Sequence, residues 1–322
     1  MATIRGRVEA VGPLRFDRYA SEELKMLTRS QLKARFVSLS VNGKDAKLSR
    51  PVEAGDEYAL ELLDEEDRSS ASAPEDIPLS VIYEDDRVVV VDKPQGMVVH
   101  PAHGNWSGTL ANALLGRFAA EGLAAPARAG IVHRLDKDTS GVLIVGKSAA
   151  AQEALAAQFR ARSTVKTYLA IVKRGPSADT GRLEGWLARD PRDRKRFAPS
   201  PEGVGKRALT EWTVLARAGG YAALALGLRT GRTHQLRVHC KALGCPILGD
   251  PIYGEADRRF PGATLMLHAW ELRIRLPGDD ERSAFRSPAP ERFEAIAAAL
   301  GLEGFPLPSS GDPSPGASPA PR

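Results

Sequence analysis

At 322 residues, 43% of them hydrophobic and 26% charged, the chain has room for two domains, one with a large core, and the composition of an ordinary globular protein. Forty-five Lys and Arg against 40 Asp and Glu leave a net charge of +5 and a pI near 9.2, a mild excess that permits nucleic-acid binding without requiring it. Two cysteines, Cys240 and Cys245, exclude a secreted disulfide framework; with no apolar signal core and no uninterrupted apolar stretch of membrane-spanning length, a soluble cytoplasmic protein is expected.

Residues 14–63 read as a first unit. Leu14 to Tyr19 opens a helical pattern, and Leu27 to Phe36 a second, with Thr28 as its cap and Arg29, Lys33 and Arg35 near one side. Val41-Asn42-Gly43 reads as a turn, and Pro51 to Leu62 as a turn followed by an alternating strand. A basic helix face ahead of a small hairpin suits a phosphate backbone, although charge spacing alone favours a solvated helix face. Residues 64–78 are acidic and rich in Ser, Ala and Pro, and read as a flexible linker. The tail 306–322 has nothing with which to build a core and reads as disordered.

The second unit, 79–302, opens with Leu79 to Asp86 and then Val88-Val89-Val90-Val91, a buried strand running into Lys93-Pro94. A lone lysine at a strand end ordinarily snorkels to solvent. Thr109 to Leu115 is helical in period. The densest polar stretch, His133-Arg134-Leu135-Asp136-Lys137-Asp138-Thr139-Ser140, enters the apolar run Gly141 to Gly146, whose β-branched composition and length describe a strand buried on both faces. Packing alone does not select charge at such a place, because a carboxylate beside a core strand must be paired or strongly hydrogen-bonded to stay ionised. Ala149 to Ala161 reads as an amphipathic helix packing Leu155 and Phe159 inward. Ser163 to Val172 reads as a strand with Lys166, Tyr168 and Ala170 on one face. The charge run Asp190 to Arg196 reads as a loop and, together with Lys206 and Arg207, as a second candidate for phosphate-backbone contact beside the plain reading of a solvated loop. Downstream, Gly231 is expected to end a strand and Thr233 to cap a helix presenting His234, Arg237 and Lys241. Leu265 to Leu272 is expected to close the sheet, and Glu291 to Leu300 to form a last helix.

Several chemistries fail on spacing. His234, His239, Cys240 and Cys245 match neither a two-pair zinc site nor a helical metalloprotease pair, so no metal is expected. Gly141 to Lys147 lacks Walker spacing, and no dinucleotide fingerprint follows a strand. Ser140 precedes a strand instead of sitting on a strand-to-helix elbow, against a serine hydrolase. Asp136 and Asp138 stand too close in sequence to straddle a sugar as a glycosidase pair, whereas one ionised aspartate, held by a cation, can act on the N-glycosidic bond of a nucleotide.

His133-Arg134-Leu135-Asp136-Lys137-Asp138-Thr139-Ser140-Gly141 resembles the signature of the RluA-type pseudouridine synthases. Lys93-Pro94-x-Gly96 with His100-Pro101 resembles the family's first motif, and Lys166-x-Tyr168-Leu169-Ala170 its tyrosine motif. Arg232 to His239 with Gly249-Asp250-Pro251-x-Tyr253-Gly254 resembles the third. Residues 14–63 resemble an S-four-type RNA-binding module, an arrangement most similar to RluD-like members that act on large-subunit ribosomal RNA. The resemblance implies an α+β fold: a mixed, mostly antiparallel sheet flanked by helices, with a small α/β RNA-binding domain in front. It implies Asp136 as the catalytic aspartate at C1′ of the target ribose, Arg237 as its ion-pair partner, and Tyr168 stacked on the uracil and taking part in proton removal at C5. Arg134 is implied as the wedge that replaces the flipped uridine, with Lys93, Leu236 and His133 supporting the substrate pocket. Arg15, Arg18, Arg29, Lys33 and Arg35 are implied as RNA contacts. Isomerisation changes no oxidation state, so no cofactor is expected; the expected partner is RNA and the expected state a monomer. Two other readings stay open: an RNA-binding assembly factor that has lost catalysis, and an RNA N-glycosidase that releases uracil.

Overall fold

The computed structural model describes residues 2–9, 12–62, 73–102, 105–193 and 195–302, and separates into two compact units, Met1–Ala73 and Pro74–Arg322. The tail 306–322 and the linker residues 64–72 lie outside the described residues. No described helix is long and apolar enough to cross a membrane.

In the first unit, β1 (Ala2–Arg7) precedes the expected start at residue 14. The elements that follow are β2 (Leu14–Arg15), α1 (Phe16–Arg18) with a wider turn over Tyr19–Glu23, and α2 (Arg29–Arg35). Then come β3 (Phe36–Val41), β4 (Lys44–Asp45), β5 (Pro51–Val52) and β6 (Glu57–Leu62). The order β1-β6-β3-β4 forms one antiparallel sheet, and β2 pairs with β5. Asn42 and Gly43 both have positive φ, 52° and 71°, as a two-residue hairpin turn matching the strand twist requires. The Asn42 side chain donates to Asp56 and accepts from the Glu57 amide, tying this turn to the one after β5. Phe16, Tyr19, Leu32, Val41 and Leu60 form the small core.

The basic side chains of this unit are less free than their spacing suggests. Arg15 and Arg29 both pair with Asp17, at 2.9 and 3.0 Å, and Arg18 pairs with Glu22 at 2.9 Å. Asp17 is largely buried, so its two arginines are oriented by it while staying about half exposed.

In the second unit the chain is pinned earlier than residue 79. The Glu75 amide donates to Asn112 O, and its carboxylate accepts from the Gly108 amide, so the end of the expected flexible linker is docked on the start of a helix. That helix, α3 (Leu110–Ala120), carries a reciprocal cap between Thr109 and Asn112. β7 (Ser80–Glu84) and β8 (Val88–Lys93) come before it; β9 (Ser140–Gly146), α4 (Ala149–Ala161), β10 (Val165–Lys173), β11 (Thr180–Arg189) and β12 (Phe197–Ser200) come after it. The chain finishes with β13 (Lys206–Ala218), β14 (Tyr221–Leu228), α5 (Gln235–Ala242), β15 (Leu267–Arg275), β16 (Arg282–Arg286) and α6 (Glu291–Leu300).

One ten-stranded sheet runs β12-β11-β13-β14-β10-β15-β9-β8-β7, with β16 also on β15. Every pairing is antiparallel except β15 with β9, which gives the mixed, mostly antiparallel α+β fold. Period-2 alternation divides the valines of β8. Val89 and Val91 pack with Leu110, Leu114 and Phe118 of α3, while Val88 and Val90 pack on the other face with Leu155 of α4. The expectation that 265–272 closes the sheet is corrected: β15 lies in the middle, between β10 and β9. Gly141 makes that parallel step possible. Its φ is +116°, and a Cβ there would lie 2.2 Å from Ala269 O.

The register then lines up residues from five strands. Lys93 is opposite Gly141, Gly141 opposite Ala269, Ala269 opposite Tyr168, and Tyr168 opposite Leu226. Residues as far apart in sequence as Lys93 and Ala269, 176 positions, thus meet along one row across the sheet.

Candidate active site

Asp136 sits in the loop immediately before β9, and that loop is held by the Lys93-Pro94-Gln95-Gly96 segment. Lys93 is fully buried, contrary to the snorkelling expectation, and its ammonium donates to the carbonyls of Pro94, Met97 and Lys137 at 2.8, 2.8 and 3.1 Å. The Gly96 amide also donates to Lys137 O, and Gln95 Nε2 donates to Asp138 O. The first motif therefore serves as a clamp on the backbone on either side of Asp138.

Burial pulls the Lys93 ammonium down to about 8, against the opposing pull of Asp138, Asp136 and Asp92. Below that value the charged group supplies three N–H donors to three carbonyls; above it the amine has two, and a lone pair faces an oxygen. We expect kcat to fall as pH rises through about 8, and Lys93→Met to be slower at neutral pH and to lose this limb. Fold loss is not the cause. Between 8 and the ordinary lysine value of 10.5 the unfolded chain binds the extra proton, so stability rises with pH in the same window. A kcat that stays flat from neutral to alkaline pH would remove the anchor role.

An open cavity of about 550 Å³, part of it continuous with solvent, is lined by Arg134, Asp136, Tyr168, His234, Leu236 and Arg237 among others. Arg134 is exposed at its rim, and Leu236 is buried in its wall. Burial first, and the Asp136 charge second, push the Tyr168 phenol well above its usual range, so it stays protonated at neutral pH. His133, expected in the pocket, does not line it. Its ring stacks on Phe159 at 4.5 Å and accepts from the Ile144 amide, and burial holds it neutral, down to about 3. It braces the loop against β9 and α4.

Arg237 reaches Asp136 only at 3.5 Å, through Nη1. Its close partner is Asp250, a carboxylate to which sequence reading gave no role: Nε donates to Oδ2 at 2.8 Å and Nη2 to Oδ1 at 2.7 Å. Asp250 Oδ1 also accepts from the amides of Ile252 and Tyr253. Despite burial, which acts upward, the Arg237 hydrogen bonds hold the Asp250 carboxyl below its ordinary range. The guanidinium lies 5.2 Å from the Tyr253 ring centre. Two-point pairing fixes its plane, leaving Nη1 for Asp136.

The start of α5 differs from expectation. β14 ends at Leu228, before Gly231, and the N-cap is His234 in the left-handed region, φ 57°, in place of Thr233. Gln235 Oε1 accepts from the Arg232 amide and the Thr230 hydroxyl, closing the turn. His234 is thereby delivered to the cavity beside Asp136. The motif Gly249-Asp250-Pro251-x-Tyr253-Gly254 was the available signal for Asp250 and Tyr253, without partners attached to it. His239 hydrogen-bonds Thr210, and Cys240 and Cys245 are buried free thiols.

The family model for RNA pseudouridylate synthase matches residues 87–242, a span containing Lys93, Asp136, Tyr168 and Arg237. A ribosomal large subunit pseudouridine synthase D of Borreliella burgdorferi is 44% identical over 287 residues, covering 87% of each chain. One of Xanthomonas campestris pv. campestris is 40% identical over 300 residues, covering 89% of this chain and 88% of that one. Among solved structures, human RNA pseudouridylate synthase domain containing 4 superposes with a TM-score of 0.57 at 25% identity, covering 70% of this chain and 94% of that one. Fold, sequence relatives and family model agree, and the chain belongs to the RNA pseudouridylate synthases, isomerases that convert uridine in RNA to pseudouridine.

Proposed function

We propose that the chain isomerises uridines of large-subunit ribosomal RNA, with Asp136 as the catalytic carboxylate. The observation that carries this reading is Asp136 in one cavity with Tyr168, with Arg237 aimed at one of its two oxygens by Asp250. The RNA assignment is supported by relatives covering most of the chain that are named for the large ribosomal subunit. Asp136 attacks or stabilises C1′ as the C1′–N1 bond breaks; the uracil turns and bonds C1′ through C5, the C5 hydrogen leaving as a proton while N1 gains one, so the product is an isomer of the substrate. Tyr168 is the flat platform for the base. Its buried ring lines the same cavity as Asp136, which supports the stacking role. Arg134, exposed at the rim, fills the space vacated by the extruded uridine, a step costing on the order of a few kcal/mol. Leu236 forms the apolar wall, and Lys93 acts through the loop backbone without touching substrate.

The unit ahead of residue 73 acts as the S-four-type RNA clamp, presenting Arg15, Arg18, Arg29, Lys33 and Arg35. Asp17 and Glu22 orient three of these arginines. The working protein is a cytoplasmic monomer. Mapping pseudouridines in ribosomal RNA from cells with and without the protein tests the reading: large-subunit positions should lose the modification, and an unchanged map would refute the substrate. A chain lacking residues 1–73 should bind RNA more weakly and with a shallower salt dependence; an unchanged salt slope would remove the clamp. Free uracil in the reaction mixture would favour the N-glycosidase reading.

A further inference from the structure

Asp136 has a second neighbour. His234 Nε2 lies 4.0 Å from Asp136 Oδ2, the same oxygen that Arg237 Nη1 approaches at 3.5 Å. Among the described residues no donor meets Oδ1.

The proton on His234 can be placed from its other side. Tyr253 is buried, and its oxygen accepts from the Phe197 amide at 2.8 Å. Its hydroxyl hydrogen has one acceptor among the described residues, His234 Nδ1, at 2.9 Å. A ring nitrogen that accepts carries no hydrogen, so the neutral imidazole is protonated on Nε2, the nitrogen turned toward Asp136. The ring is held edge-on between Phe197 and Tyr253, at 5.9 and 5.5 Å.

Helix capping does not account for a histidine here. The N-cap has no side-chain hydrogen bond to the helix, and its left-handed backbone, φ 57° and ψ 16°, is one that glycine or asparagine adopts more readily. Backbone strain at a cavity wall is retained where the side chain has work there.

We propose that His234 is a positioning residue: locked by Tyr253 as the Nε2–H tautomer, it donates to Asp136 Oδ2 in the substrate complex, so that with Arg237 it occupies that oxygen and presents Oδ1 to the ribose. A movement of about 1 Å closes the separation to hydrogen-bond length, a tightening common when substrate fills a site. Two donors on one oxygen fix the carboxylate's rotation about its Cβ–Cγ bond, which a single donor leaves loose. Protonation of the ring requires a hydrogen on Nδ1, which the Tyr253 hydroxyl opposes. The other charged groups facing the ring are Asp136, Arg237, Asp250 and Arg134, and burial is the leading influence keeping it neutral.

This rests on the catalytic-aspartate reading, and single-turnover kinetics on an RNA substrate separates the two. His234→Ala should lower kcat by about 10- to 100-fold with KM little changed, the loss typical of removing an orienting partner. His234→Gln, which keeps an N–H near the Nε2 position, should recover most of it. Tyr253→Phe retains the ring under Arg237 but frees Nδ1; it should lower kcat and move the acid limb of the pH profile upward. Parent-like kcat in His234→Ala, equal loss in the Ala and Gln variants, or an unmoved profile in Tyr253→Phe would each overturn the proposal. If His234→Ala does not fold, the other two variants decide. An active Asp136→Asn enzyme would instead remove the underlying reading, whereas an inactive one beside a parent-like His234→Ala removes this inference alone.

Discussion

Asp136→Asn is expected to lower pseudouridine formation by about 10⁴-fold or more, equivalent to roughly 5.5 kcal/mol of transition-state stabilisation, while leaving fold and RNA affinity near those of the parent. The amide is nearly isosteric but carries no charge to meet a cationic ribose centre. The structure explains why the fold survives. Arg237 is almost fully buried, and a buried guanidinium that lost its only carboxylate would destabilise the protein, but its two-point partner is Asp250 and remains in place. Product formation measured at saturating enzyme, with RNA binding and thermal unfolding alongside, checks all three parts. Retained activity rules out Asp136 as the reacting group; lost stability rules out the independence of Arg237.

Asp250→Ala should do the reverse, damaging fold and rate together. The Asp250 carboxylate is fully buried and meets Arg237 at 2.7 and 2.8 Å as well as two backbone amides. Removing one member of a buried pair leaves the other charge unpaired, a loss of about 3–5 kcal/mol. Because the folded carboxyl is held below its ordinary value of 3.8, this stability is present above that value and disappears on acidification through the lower folded one. The parent should therefore lose stability toward acid more steeply than the variant. Denaturant unfolding at neutral and acid pH measures both effects, and a variant within about 1 kcal/mol of the parent at neutral pH would mean that Arg237 finds another partner. Activity should fall with it, since Nη1 is then no longer aimed at Asp136.

Much of the site was legible before any tertiary structure. The Asp136 stretch stood out because charge at the mouth of a doubly buried strand demands a reason, and the four ordered motifs supplied the family. Residues 140–146, 149–161 and 291–300 became the expected strand and helices because their apolar spacing is local information. The Val41-Asn42-Gly43 turn likewise needs only two residues able to take positive φ.

What the chain could not announce was partnership. Lys93 looks like a snorkelling lysine until three carbonyls are found around its ammonium, one of them 44 residues away. Arg237 reads as the partner of Asp136 until Asp250 takes its fork. His234 looks like the second residue of a capped helix, yet it is the N-cap itself, turned into the cavity by a left-handed backbone. Likewise, 265–272 reads as a strand in any position, and only long-range pairing puts β15 at the centre, where its parallel step against β9 aligns Gly141, Ala269 and Tyr168. Sequence by itself determined most of the elements, the candidate site's side chains and the family, because period, turn chemistry and motif spacing are written within a few residues. Tertiary structure alone decided strand order, register and which donor meets which oxygen, because those follow from covering both faces of the large sheet and pairing the charges buried beside it.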